Sequence, residues 1–252
     1  MALRDNAIWW SGLVTLPILV RQAFQARQRT PMLSSAPSPH SGTCTPEAAS
    51  ESRALSVYLV GESTVAGVGA RDHEHGLSGQ LALWLSEELG RPVRWEALGL
   101  IGARAQECLE HRVELEMVPR MHDVAPDLIV VVLGVNDTTK LTSRRRWRRA
   151  LGEIVKRCRQ VTDCPIVLTG VPPMEQFAAS AWPLRAVLGA RARLLDRDSR
   201  RVAAESSDCW HFSTAVELAR DDLASDGFHP SESGYARWGR ELGVQVASML
   251  TV

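Results

Sequence analysis

At 252 residues, 45% hydrophobic and 23% charged, the chain is long enough to bury a full core as one globular domain with tails, which excludes a fibrous or wholly disordered protein. Twenty-nine basic residues balance twenty-nine acidic ones, so no global field favours nucleic acid, and no nucleic-acid partner is expected. The five cysteines (Cys44, Cys108, Cys158, Cys164, Cys209) are odd in number and form no C-x-x-C pair, which argues against a disulfide framework and against a zinc site. A reduced, cytoplasmic chain is the simplest expectation.

The chain divides into three parts. Residues 1–29 form a hydrophobic segment with a basic flank: the run "NAIWWSGLVTLPILV" at 6–20 carries no charge and is followed by Arg21, Arg27 and Arg29. Fifteen residues interrupted by Pro17 fall short of the roughly 20 that a spanning helix needs. The segment is expected as an arm on the protein or at a membrane surface, with a signal peptide as the other reading and the basic flank favouring the inner face of the membrane. Residues 30–54, with four prolines among many Ser and Thr, are expected as a flexible linker. Residues 55–252 are expected to hold the globular domain.

From residue 55 two periodicities alternate. "LSVYLV" (55–60), "VRWEAL" (93–98), "LIVVVL" (128–133) and "PIVLTG" (165–170) have the composition of strands, with "WHFST" (210–214) as the candidate fifth. Helical stripes lie between them. Leu77, Leu81, Trp84, Leu85 and Leu89 share one face, and Trp147, Ala150, Leu151, Ile154, Val155 and Cys158 share another, with Ser143 placed as its cap. Tyr235, Trp238, Leu242, Val246 and Met249 form a third. This alternation predicts an α/β fold, a three-layer α/β/α sandwich around a five-stranded parallel sheet of flavodoxin-like order 2-1-3-4-5. Ligands then bind beyond the carboxyl ends of the strands, beside the first.

Each group with chemical capacity follows a strand. Ser63 ends the first, Gly102 follows the second in "LGLIGARAQE", and Asn136 follows the third in "VVLGVNDTT". The order places the serine between a glycine N–H and an asparagine amide, the donors that a tetrahedral oxyanion needs. Asp226 and His229, three apart in "SDGFHPSESGY", supply the base that a serine hydroxyl requires and the carboxylate that orients it. One difficulty is topological. A direct loop from the fifth strand would leave His229 roughly 14 Å from Ser63 at about 4.8 Å per strand, so the loop must bend back over the sheet edge.

These blocks resemble the SGNH hydrolases, the GDSL esterase and lipase family: Ser63 in "GEST", Gly102 in "LIGAR", Asn136 in "GVND" and His229 in "DGFHP", with Asp226 completing the triad. The resemblance implies a serine ester hydrolase acting through an acyl-enzyme on short- to medium-chain or lipid-like esters, with no metal or organic cofactor. It also implies an oxyanion hole made of the Ser63 and Gly102 N–H groups and the Asn136 amide. Two departures stand out: "GES" replaces the usual "GDS", and "GARA" replaces the frequent "GDT" or "GDS" of the second block. An acyltransferase with the same triad and a non-catalytic binding module on the same fold remain the alternatives.

The loop "VPPMEQFAASAWP" (171–183) follows the fourth strand on the catalytic edge, and Met174, Phe177 and Trp182 are its candidate substrate-binding residues. "DHEH" (72–75) is too contiguous to converge on a metal, so none is expected there. "RRRWRR" (144–149) reads as the solvated face of a helix whose Trp147 is buried. His211 is expected in a strand near the core, with no assigned role.

Overall fold

The computed structural model describes residues 5–8, 16–47, 52–177, 181–213 and 219–251. Among these described residues the sheet has six strands: β1 (Ser41–Cys44), β2 (Leu55–Gly61), β3 (Val93–Gly99), β4 (Leu128–Val132), β5 (Ile166–Thr169) and β6 (Cys209–Phe212). They lie in the order β1-β3-β2-β4-β5-β6. The five strands from β2 to β6 are parallel and have the expected 2-1-3-4-5 order. Residue 214 of the expected fifth strand lies outside the described residues.

The sixth strand corrects the expected linker. Ser41–Cys44 pairs antiparallel with β3, Gly42 standing opposite Trp95. "SGTC" has no apolar alternation to reveal a strand, but an edge strand exposed on one side needs none. The segment before it is tied down as well: the Ala36 N–H donates to the Ala66 carbonyl at 3.0 Å.

Side chains alternate across the sheet and build two cores. Val57, Leu59, Trp95, Leu128, Val130 and Val132 face α2 (Leu77–Leu89) and α7 (Glu232–Leu250). Tyr58, Val60, Leu98, Ile129 and Val131 face the other layer. That layer holds a helical run at 105–123, which is π-helical over Leu109–Met117, together with α5 (Arg144–Arg159) and α6 (Leu184–Ala204). We label the run α3, and the short helix Val135–Thr139 is α4. All six residues of the stripe predicted on α5 are buried, and Ser143 Oγ caps that helix by accepting from the Arg146 N–H at 3.3 Å.

The amino-terminal run lies partly outside the described residues, at 9–15. Residues 16–20 of the run open α1 (Leu16–Arg29). Leu19 is buried in the core, while Gln22 donates to the Trp182 carbonyl and accepts from the Leu184 N–H. Buried Asp5 accepts from Arg193 and Arg197 of α6. Among the described residues no helix is long and apolar enough to cross a membrane.

Candidate active site

Register aligns the strand ends. Gly61 of β2 pairs with Gly99 of β3 and Val132 of β4, so residues 62–63, 100–102 and 133–136 leave the same sheet edge side by side. Ser63 is the first residue after Glu62 beyond the central strand, and its side chain lies in a mostly apolar pocket.

Residues 222–231 do fold back on themselves. Leu223 bridges Pro230, the Ala224 N–H donates to the His229 carbonyl at 2.8 Å, and the Ser231 N–H donates to Asp222 at 2.8 Å, closing 222–231 into a folded-over turn. This turn rests on the segment after Ser63. At Gly69, with φ +96°, a Cβ would lie 2.2 Å from the Pro230 carbonyl oxygen, so only glycine allows the approach. Ser231 then caps α7, accepting from the Gly234 N–H.

The result is a continuous hydrogen-bonded chain. His229 Nε2 lies 3.0 Å from Ser63 Oγ, and His229 Nδ1 lies 2.6 Å from Asp226 Oδ2. The other carboxylate oxygen of Asp226 accepts from the Phe228 and His229 N–H groups at 2.9 and 3.0 Å. The carboxylate that orients the imidazole therefore also fixes the backbone carrying it.

On the other side of Ser63, Leu100–Ala103 forms a turn closed by Ala103 N–H to Leu100 O, with Gly102 at φ +74° in the position where a type II turn demands glycine. Lys140 Nζ grips the Gly102 carbonyl at 2.6 Å. Among the described residues neither the Ser63 nor the Gly102 N–H donates to a protein acceptor. Asn136 stands at the start of α4, where its Nδ2 and its N–H both donate to Glu62, the latter at 3.0 Å. An amide nitrogen carries two hydrogens, so one remains for a ligand.

Sequence reasoning passed over three supports. Glu62 is one, read only as a departure from the usual aspartate. Asp137 is another: its Oδ2 accepts from the Ala105 N–H at 2.8 Å, joining the turn after β4 to the start of α3. Lys140 is the third. The adjacent "ND" after a buried strand was the available signal for the second.

The pocket holds about 60 Å³ and is walled by Val132, Leu133, Val135, Pro172, Pro173 and Phe177, with Phe228 beside His229. Phe177 is where its sequence position suggested, edge-on to Phe228 at 5.2 Å. Met174 and Trp182 are corrections. Met174 sits in a single helical turn that faces inward and is spent on the core. Trp182 is 72% exposed, and its backbone serves α1 instead. Residues 178–180 of the same loop lie outside the described residues.

The remaining motifs have structural partners. Asp72 accepts from the backbone and the ring of His75, His73 bonds His40 at 2.8 Å, and among the described residues no cluster could hold a metal ion. Arg144 and Arg148 bind buried Asp198, and His211 lies 2.9 Å from Asp196.

Comparison with known proteins agrees with this geometry. Residues 59–237 match the GDSL-like lipase/acylhydrolase family. A GDSL-like esterase of Mycobacterium tuberculosis, Rv1075c, is 27% identical over 234 residues, covering 87% of this chain and 72% of that protein. Among solved structures, a carbohydrate acetylesterase family member from Sinorhizobium meliloti superposes with a TM-score of 0.59 at 22% identity, over 79% of this chain and 100% of the other. The esterase EstA from Pseudoalteromonas sp. gives 0.60 at 13% identity, over 78% and 99%. The chain belongs to the GDSL-like lipase/acylhydrolase family and is a carboxylic ester hydrolase of that type.

Proposed function

We propose that the protein hydrolyses esters of short acyl groups through a serine acyl-enzyme, with Ser63 as nucleophile, His229 as general base and acid, and Asp226 as its orienting carboxylate. The unbroken chain from Ser63 Oγ to His229 to Asp226 carries this reading. Ser63 Oγ attacks the ester carbonyl while its proton passes to His229 Nε2. The tetrahedral oxyanion is held by the Ser63 and Gly102 N–H groups and the free hydrogen of the Asn136 amide. Collapse expels the alcohol, which takes the proton from His229. Water, deprotonated by His229, then attacks the acyl-enzyme, and the second collapse releases the acid and restores Ser63.

The pocket supports a short acyl group: its apolar walls surround only about 60 Å³, a space suited to acetyl to butyryl. Structural neighbours described as carbohydrate esterases support the same end of the scale. A fluorophosphonate should label wild type and not Ser63→Ala, and kcat/KM across p-nitrophenyl esters should peak by C4. Labelling that persists in Ser63→Ala removes the proposed nucleophile. A rise through C8 removes the short-acyl assignment.

A second reading concerns where the substrate is met. α1 presents Leu16, Val20 and Phe24 on one exposed stripe, with exposed Ile18 close by and Trp182 at its side. No acidic residue occurs between Asp5 and Glu47, whereas Arg21, Arg27 and Arg29 do. An apolar stripe in a segment whose sequence carries cations and no acids suits an anionic lipid surface, and the loop bearing Trp182 also supplies Pro172, Pro173 and Phe177 to the pocket wall. Binding to phosphatidylglycerol vesicles should exceed binding to phosphatidylcholine vesicles at least tenfold and fall sharply in Val20→Glu/Phe24→Glu. Equal binding to both lipids would refute it.

A further inference from the structure

Glu62 lies between the end of the central strand and the nucleophile, and it is buried at 2% exposure. Its carboxylate accepts from the Val135 N–H at 2.9 Å, from the Asn136 N–H at 3.0 Å and from Asn136 Nδ2. Three donors on one carboxylate, all from the turn after β4, are more than a strand end needs for its own satisfaction. They fix the backbone of 135–136 and the plane of one side chain. With one hydrogen of Asn136 Nδ2 committed to Glu62, rotation about the last side-chain bond is blocked and the second hydrogen has a single direction. Val135 and Asn136 lie just beyond β4, the strand paired with β2, so the carboxylate ties two neighbouring strand ends together.

We propose that Glu62 is a positioning residue for ester hydrolysis, its carboxylate holding the Asn136 amide so that one hydrogen stays directed at the oxyanion. The proposal rests on the serine-hydrolase reading above. Ionisation matters to it, because a protonated carboxyl turns one of its acceptors into a donor facing N–H groups. Burial pushes the Glu62 pKa up to about 7, with Asp137 adding in the same direction and the three N–H donors opposing both. The other titratable groups around it are Cys108 of α3, which donates to the Gly61 carbonyl, and His229 across the pocket. The hold on Asn136 should therefore be complete above pH 7 and released below it.

A double-mutant cycle on the full chain tests this, reading kcat on p-nitrophenyl acetate at pH 8 with folding checked by circular dichroism. Glu62→Gln should lower kcat about 10- to 100-fold with KM little changed, because the lost contact acts on a bond that strengthens in the transition state. Asn136→Ala should lower it about 10²- to 10³-fold. In the Asn136→Ala background Glu62→Gln should cost less than about threefold, and Glu62→Asp, which keeps a carboxylate, should regain most of the lost rate. Additive effects would overturn the proposal, since Glu62 would then act without Asn136. If Glu62→Gln does not fold, the pH dependence of kcat decides. Wild type should lose one more protonation-dependent step near pH 7 than Asn136→Ala does, and identical profiles would overturn the proposal. Fluorophosphonate labelling of wild type separates the two readings. A chain that labels at Ser63 yet gives an additive cycle refutes the role of Glu62 alone, whereas absence of labelling refutes the hydrolase mechanism beneath it.

Discussion

Replacing Asp226 by asparagine and by alanine should separate catalysis from folding at one position. One oxygen, Oδ1, accepts from the Phe228 and His229 N–H groups, and the other, Oδ2, faces His229 Nδ1. Asparagine can keep its carbonyl on the two backbone donors, so the 222–231 turn should persist and stability should change by no more than about 1 kcal/mol. Its NH₂ group then faces Nδ1. Two donors cannot share that contact, so the ring turns to the tautomer with hydrogen on Nε2 and can no longer accept the Ser63 proton. A loss of about 10³- to 10⁴-fold in kcat is expected, the scale known for this substitution in serine proteases. Alanine removes the acceptor of both backbone donors as well, and hydrogen bonds to a charged group are worth about 1.5–3 kcal/mol each, so a net destabilisation of about 3–6 kcal/mol should follow. For a chain of this size that is roughly 6–24 °C in Tm. Steady-state hydrolysis of p-nitrophenyl acetate and thermal melts measure the two effects. An Asp226→Asn variant with wild-type kcat, or an Asp226→Ala variant that melts with wild type, would refute the double duty assigned to this carboxylate.

Deleting residues 1–50 should lower Tm by far more than deleting residues 1–34, because only the longer deletion strips β1 and Gly42 from Trp95 and breaks the His40–His73 contact; equal melting temperatures would return 35–50 to the status of a linker. Gly69→Ala should push the Pro230 carbonyl away and, by moving His229, lower kcat at least tenfold in a protein that still folds, readable as slower fluorophosphonate labelling. Phe177→Ala should enlarge the pocket and shift the preferred acyl length upward by one or two carbons in the chain-length series. Stability should carry the opposite pH trend to activity. The Glu62 pKa is raised in the fold, so its contribution is complete below the unfolded value of 4.5 and is lost as pH rises through about 7; Tm should fall across that window and less so in Glu62→Gln.

The candidate residues Ser63, Gly102 and Asn136 were legible because each lies within four residues of a strand end and the order of a parallel sheet places those ends side by side, whereas Asp226 and His229 were legible from their spacing of three and not from their distance to a strand. Burial was legible on α5, where a strong 3.6-residue period survives among eight cationic side chains. What escaped was whatever depends on a neighbour distant in sequence. β1 owes its place to the free edge of β3 and not to its own composition. Met174 and Trp182 looked equivalent to Phe177 in an apolar loop, yet only the direction of one helical turn and the docking of α1 decide which of the three meets the pocket. The same holds for Glu62, whose meaning lies 73 residues away at Val135.

The proposed nucleophile and its base are separated by 166 residues of chain, and the histidine is held in place only after the turn at 222–231 folds back over Ser63 and α7 packs on α2. During synthesis the serine emerges early and stays without a partner until nearly the whole domain has been made. A nascent chain stalled before residue 229 would be inert toward esters however well its sheet had formed. Labelling of Ser63 in ribosome-bound chains of increasing length should therefore switch on late and abruptly, and the onset would time the closing step of folding in a way that spectroscopy of the sheet does not.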